Sequence, residues 1–171
     1  MPATPDDLFA FLDKHKIAHK TATHAPLFTV EQSRELRGTI PGAHTKNLFL
    51  KDKRDSVFLV VAPEDAAIDL KTLHHRLGAG RFSFGSSNLM QELLGVTPGA
   101  VTPFGVINDT ARRVTVVLDA GLMRDAIVNA HPLVNTMTTS LAREDLVKFL
   151  EATGHTPRIE AIAEGTPAPE R

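Results

Sequence analysis

His44-Thr45-Lys46-Asn47-Leu48-Phe49-Leu50, the charged run Lys51-Asp52-Lys53-Arg54-Asp55 and Ser56-Val57-Phe58-Leu59-Val60-Val61 together form the stretch from which the fold is read. Two extended runs supplied with β-branched and aromatic residues flank a short polar break, which is the signature of a β-hairpin. Upstream, Thr4 caps a helix that has Pro5 at its first position and Asp7 three residues after the cap. Leu8, Phe11 and Leu12 give that helix an apolar stripe, and it ends near His15. Residues 16–23 read as a strand. Thr29, with Glu31 and Gln32, opens a second helix that stops at Gly38, and residues 39–42 make a turn around Pro41.

Downstream, Asp69 caps a helix through Leu77 that ends in Gly78-Ala79-Gly80. A short strand over 81–84 follows, and Ser87 caps a helix reaching Leu94. Residues 95–105 hold three glycines and two prolines and read as a loop. Val114-Thr115-Val116-Val117-Leu118 is the clearest buried strand, and residues 122–128 and 133–139 read as extended or partly so. The last helix runs from a Ser140 cap to about Ala152 and stops at Gly154. Alternating strands and helices predict a mixed α/β class. The chain of 171 residues is long enough for one core and short for two, so residues 1–164 read as one domain and 165–171 as a disordered tail.

Hydrophobic residues make up 42% and charged residues 23%, the balance of a soluble globular protein, and no apolar run approaches the roughly 20 residues of a membrane span. The N-terminus lacks the basic start and apolar stretch of a secretory signal, and there is no cysteine for a disulfide framework. A cytoplasmic location is the expectation. A formal net charge of −1 excludes a uniformly cationic nucleic-acid binder, so any RNA contact has to be local. Two basic clusters could supply it: Lys14, His15, Lys16, His19 and Lys20, and Lys46, Lys51, Lys53 and Arg54. A charge cluster taken alone is more often a solvated face.

Several catalytic signatures are missing: a Cys nucleophile, a Gly-x-Ser-x-Gly elbow, a phosphate-binding glycine loop and a His-Glu-x-x-His helix. His15 with His19 straddle a helix end, while His74 and His75 are expected to point in different directions. Neither pair forms a four-ligand metal set, and no cofactor is expected. Three other features stand out. Lys46 lies among apolar neighbours in a strand, either as a phosphate or carboxylate ligand or as an edge lysine with its ammonium in water. Gly99-Ala100-Val101-Thr102-Pro103 sits where backbone N–H groups could line up as an oxyanion hole or carbonyl clamp. His131-Pro132-Leu133-Val134-Asn135-Thr136-Met137-Thr138-Thr139 begins with a histidine that is either structural or part of a site.

Together with Ala25-Pro26-Leu27-Phe28-Thr29-Val30-Glu31, these segments resemble the YbaK/prolyl-tRNA editing superfamily, and within it the free-standing alanyl-tRNA(Pro) deacylase branch, called ProXp-ala or PrdX. The resemblance spans roughly residues 5–163. It implies a single domain with a curved mixed β-sheet surrounded by helices, and a pocket for the acceptor end of tRNA(Pro), with prolyl-tRNA synthetase as a second partner. It also implies that Lys46 engages the terminal adenosine or its phosphate, that the Gly99 to Pro103 loop holds the aminoacyl carbonyl, and that His131 lines the amino-acid pocket. It implies as well that water is activated largely by backbone groups and the substrate's ribose hydroxyl. The expected catalytic set is Lys46, Gly99 and His131. The expected substrate-binding set is Phe28, Val30, Ala100, Val101, Thr102, Pro103, Ala130 and Asn135. Ala130 departs from the bulky residue that often precedes the family's histidine and could widen the pocket toward serine or another small residue; the alternatives are a cysteinyl- or seryl-tRNA deacylase of the same superfamily and a non-catalytic binding module.

Overall fold

The computed structural model describes residues 2–25 and 40–163, so the expected helix over 29–38, Phe28, Val30 and the tail after Ala163 lie outside the described residues. Helix α1 (Pro5–Lys14) starts on a reciprocal capping box: Thr4 Oγ1 accepts from Asp7 N at 3.2 Å, and the Asp7 carboxylate accepts from Thr4 N at 2.9 Å. Leu8 and Leu12 are fully buried on its inner face. Lys16, in the left-handed region at φ 59°, then reverses the chain while Ile17 N donates to Leu12 O. This reversal pushes the start of the first strand, β1 (His19–Thr23), three residues beyond the expected Lys16.

The expected hairpin forms as β2 (Ala43–Lys51) and β3 (Val57–Pro63), paired antiparallel from Thr45 against Pro63 to Lys51 against Val57. After it come α2 (Leu70–Leu77), capped by Asp69 and closed by a left-handed Gly78, and β4 (Ser83–Phe84). Helix α3 (Ser87–Leu94) is capped by Ser86 rather than Ser87, because it is the Ser86 hydroxyl that accepts from Leu89 N at 3.1 Å. Residues 95–105 were expected to be irregular. They contain one short 3-10 helix, Pro98–Ala100, and open a second, Pro103–Asn108, each with proline at its first position, where the missing N–H costs nothing.

Strand β5 (Val114–Asp119) forms as expected, but residues 122–128 divide into a 3-10 turn, Leu122–Arg124, and β6 (Ile127–Ala130). Strand β7 covers Met137–Ala142, so Ser140 is a strand residue and not a helix cap. Helix α4 (Arg143–Ala152) follows directly from Ala142 with no side-chain cap. A last short strand, β8 (Arg158–Glu160), was not anticipated.

The described strands form one eight-stranded mixed sheet in the order β1-β7-β6-β2-β3-β5-β8, with β4 on β2. Side chains alternate between its faces. One face carries Phe49, Leu59, Val61, Val116, Leu118 and Val128 into the larger core, against α1, α3, α4 and Phe104. The other carries Leu50, Phe58, Val60 and Val117 into a smaller core under Leu73 and Leu77 of α2. Fully burying one such Leu or Val is worth about 1.5–3 kcal/mol, so these two clusters dominate the favourable side of folding. Among the described residues, no helix is long and apolar enough to cross a membrane.

Candidate functional site

The candidate residues Ala130 and His131 sit where β6 stops. Strand β6 lies between β2, to which it is parallel (His44 against Asn129), and β7, to which it is antiparallel (Asn129 against Ser140). Asn129, only 2% exposed, joins the three strands: its Nδ2 donates to Pro41 O (3.1 Å) and Ala43 O (3.3 Å), and its Oδ1 accepts from the Ser140 hydroxyl. Beyond Ala130 the chain turns sharply. Leu133 N closes on His131 O at 2.9 Å, and Leu133 sits in the left-handed region at φ 71° with its side chain buried. A non-glycine residue there costs about 1–2 kcal/mol, offset by the apolar contacts that its side chain makes in the larger core.

That turn presents His131. Its Nδ1 lies 2.8 Å from Met137 O, and a carbonyl only accepts, so Nδ1 carries the proton and Nε2 of the neutral ring is an acceptor. Burial pushes the imidazole below its ordinary pKa. The Met137 bond works against that shift, while His24 and His44 reinforce it. The His24 ring centroid is 6.2 Å from that of His131; His24 bonds Ala25 O through Nδ1 and the Thr138 hydroxyl through Nε2, both at 2.8 Å. His44 donates from Nε2 to Ile40 O at 3.1 Å. Neither His24 nor His44 stood out in the sequence. The available signal was the period of two in β2, which sets His44 on the same face as Lys46.

Lys46 lies two residues on from His44 and opposite Ala62, and its ammonium donates to Ala66 O in the connection after β3. An ammonium has three donors, so this anchor leaves others for a ligand. Next to it, the Asn47 side chain turns to the opposite face, where its Oδ1 is buried with no hydrogen-bond partner among the described residues. A buried acceptor left unpaired costs about 1–3 kcal/mol, which marks it as a place where a donor from outside fits.

The 99–103 turn is less of an open row of donors than its sequence suggests. Ala100 N donates within the turn to Thr97 O at 2.9 Å. Thr102, fully buried, spends its hydroxyl accepting from Phe104 N at 3.3 Å, and Pro103 is buried at the start of the next 3-10 helix. Gly99 is where the turn meets the rest of the site: a Cβ added there would lie 3.2 Å from Asn135 Nδ2. Ala100 and Ala130 both belong to the larger core cluster, with Val101 packed against it. The Gly99 turn and the segment that carries His131 and Asn135 therefore meet at Gly99 and Asn135, with Ala100 and Ala130 in the larger core and Lys46 on the strand next to β6.

The histidines first considered as metal ligands lie elsewhere. His15 packs on Phe11, and His19 stacks on Phe9 and pairs with Asp13 at 2.9 Å. Contrary to expectation, His74 and His75 do not diverge; their ring centroids are 3.9 Å apart.

The family model "Aminoacyl-tRNA editing domain" matches residues 24–149, a span that contains all three candidate catalytic residues. Prolyl-tRNA editing protein ProX of Acetoanaerobium sticklandii is 41% identical over 150 residues, covering 87% of this chain and 92% of that protein. Multifunctional Ser/Thr-tRNA deacylase ProXp-y of Escherichia coli (strain K12) is 32% identical over 104 residues, 59% of this chain and 62% of that protein. The crystal structure of hypothetical protein APE2540 superposes with a TM-score of 0.72 at 19% identity, over 92% of this chain and 99% of that one, and so shares the fold. With the mixed sheet and the paired turns already in place, this chain belongs to the aminoacyl-tRNA editing domain family.

Proposed function

We propose that the protein hydrolyses alanine from mischarged tRNA(Pro), acting in trans on the aminoacyl ester at the acceptor end. The observation that carries the reading is the oriented His131 imidazole on a turn whose Asn135 meets the Gly99 turn. An aminoacyl ester on a ribose is already activated, so its hydrolysis asks for a placed water and for donors where charge builds on the carbonyl oxygen. A preorganised donor of this kind is worth about 3 kcal/mol, enough to run an esterase without a nucleophilic side chain.

In this reading Lys46 holds the terminal phosphate or adenosine, and the turn at Gly99 clamps the carbonyl. His131 Nε2 and Asn47 Oδ1 receive the substrate's donors. Ala100, Val101, Ala130 and Asn135, with Thr102 and Pro103 holding the turn from behind, bound a cavity for a small side chain; Phe28 and Val30 complete it in the sequence reading. Such a second sieve answers a physical problem, since each missing methylene changes binding by only about 1–3 kcal/mol, too little for a proline site to reject alanine. Likeness to a prolyl-tRNA editing protein and to a Ser/Thr-tRNA deacylase supports the reaction class. Deacylation of tRNA(Pro) charged with Ala, Ser, Cys or Pro tests it. Preferential release of alanine is expected, and release of proline at the same rate, or no release at all, refutes it.

A further inference from the structure

The strand that carries Lys46 is joined to the strand that leads into His131 by a very short seam. Strand β2 pairs with β3 from Thr45 to Lys51, and β6 with β7 from Ile127 to Ala130, but β2 and β6 meet only at Ala43 against Val128 and His44 against Asn129. The two strands run parallel, so the chain advances in the same direction along both. Lys46 lies two residues beyond His44, and His131 two residues beyond Asn129. The register of this seam therefore decides which residue of β2 accompanies His131. A slip by one residue turns every side chain of β2 to the other face, and a slip by two carries Lys46 along by about 7 Å.

So short a ladder is little to hold a register, and side chains supply the rest. Asn129 Nδ2 spends its donors on the incoming segment of β2, at Pro41 O and Ala43 O, while its Oδ1 accepts from the Ser140 hydroxyl on β7. In the reverse direction the Thr45 hydroxyl donates to Asn129 O at 2.9 Å. Gly42, at φ 104°, lets the chain approach so closely that a Cβ there would lie 2.8 Å from Ile127 Cγ2. Because Asn129 is buried, a slipped register would leave its amide hydrogens unpaired away from water. A buried polar network that is satisfied in one arrangement selects that arrangement.

We infer that Asn129, backed by Thr45, is a positioning residue for deacylation: it locks β2 on β6 in the register that sets Lys46 beside His131. The inference rests on the editing reading for what Lys46 and His131 do. Asn129→Ala removes the lock. Thr45→Val removes one hydroxyl and keeps the β-branched shape, so a folded variant is at hand even where Asn129→Ala loses its fold.

Both variants are checked by circular dichroism and thermal melting, then assayed by single-turnover deacylation of alanyl-tRNA(Pro) with enzyme in excess, alone and combined with Lys46→Ala. The rate of folded Asn129→Ala falls by about tenfold or more, toward the roughly hundredfold that a displacement of about 1 Å costs, and that of Thr45→Val by about threefold. On the Lys46→Ala background the same substitutions lower the rate by less than about twofold, because no ammonium is left to misplace. A lower melting temperature with an unchanged rate, or the same loss with and without Lys46, overturns the inference.

Histidine titration by NMR gives a second reading that needs no turnover. Of the two histidines that reinforce the low pKa of His131, only His44 lies on β2. Loosening the seam therefore raises the His131 pKa toward that of a free imidazole, more in Asn129→Ala than in Thr45→Val, and a pKa unmoved in both variants overturns the lock. A wild-type protein that hydrolyses no alanyl-tRNA(Pro) refutes the editing reading, and the lock is then decided by the titration.

Discussion

Asp109→Asn is the sharpest test of how the site is held in place. Asp109 follows the 3-10 helix Pro103–Asn108, which continues from the Gly99 turn, and its carboxylate accepts from Arg113 N (3.1 Å), Val114 N (2.8 Å) and His155 Nε2 (2.8 Å). His155 in turn bonds Thr153 Oγ1 through Nδ1 at 2.9 Å, and that hydroxyl has already given its hydrogen to Leu150 O. His155 Nε2 thus donates to the carboxylate, and both side chains are only 1% exposed. Asparagine matches the shape, but its amide hydrogens would face a donor that the carboxylate now accepts from, leaving a buried hydrogen-bonding group unpaired. Leaving such a group unpaired costs about 1–3 kcal/mol. At about 2–4 °C per kcal/mol for a domain of this size, the melting temperature falls by about 2–12 °C. Urea unfolding of wild type, Asp109→Asn, His155→Leu and the double variant measures the coupling. A loss under about 1 kcal/mol for Asp109→Asn, or purely additive single effects, refutes the coupling of this buried hydrogen-bonded pair.

The other expectations bear on the site itself. Lys46→Ala lowers kcat/KM for alanyl-tRNA(Pro) at least about tenfold, equivalent to about 1.4 kcal/mol, with the fold intact; unchanged turnover removes its role. Asn47→Ala cuts deacylation while leaving urea stability unchanged or raised, because the Oδ1 it removes has no partner to lose. Gly99→Ala puts a methyl 3.2 Å from Asn135 Nδ2, so single-turnover rates fall while stability changes by less than about 1 kcal/mol, and an unaltered rate separates the turn from the chemistry. Since His131 has its pKa lowered mainly by burial, activity stays level down through pH 6.5 and declines only below it. The sign for stability follows: the unfolded chain takes up this proton first, so stability is lost as pH falls from about 6.5 toward the lower folded value, and His131→Asn flattens that part of the urea-midpoint curve.

The elements legible in the sequence are those whose signals are local. The Thr4/Asp7 box, the Asp69 cap with Gly78 at the other end, and the hairpin about residues 51–55 all close within a few residues, and each is found where it was read. The editing segments were legible for a different reason: their wording matches a family, which singled out Lys46, Gly99 and His131 as candidates but not the side chains around them. Ser140 shows where local reading fails. A serine followed by an apolar, helix-forming run looks like a cap, yet Ser140 pairs with Lys20 on one side and Asn129 on the other, and its hydroxyl bonds Asn129. Two flanking strands outweigh a preference worth about 1 kcal/mol.

What the sequence determined by itself was the mixed class, most helices and the central hairpin, because caps, glycine stops and apolar periods act over one or two turns of chain. Only the tertiary structure decided the strand order, the meeting of His24 and His44 with His131, and the contact between Asn135 and Gly99. Those contacts join residues from about 35 to about 110 positions apart, and the parallel pairing of β2 with β6 that brings His44 toward His131 leaves no mark in either strand alone.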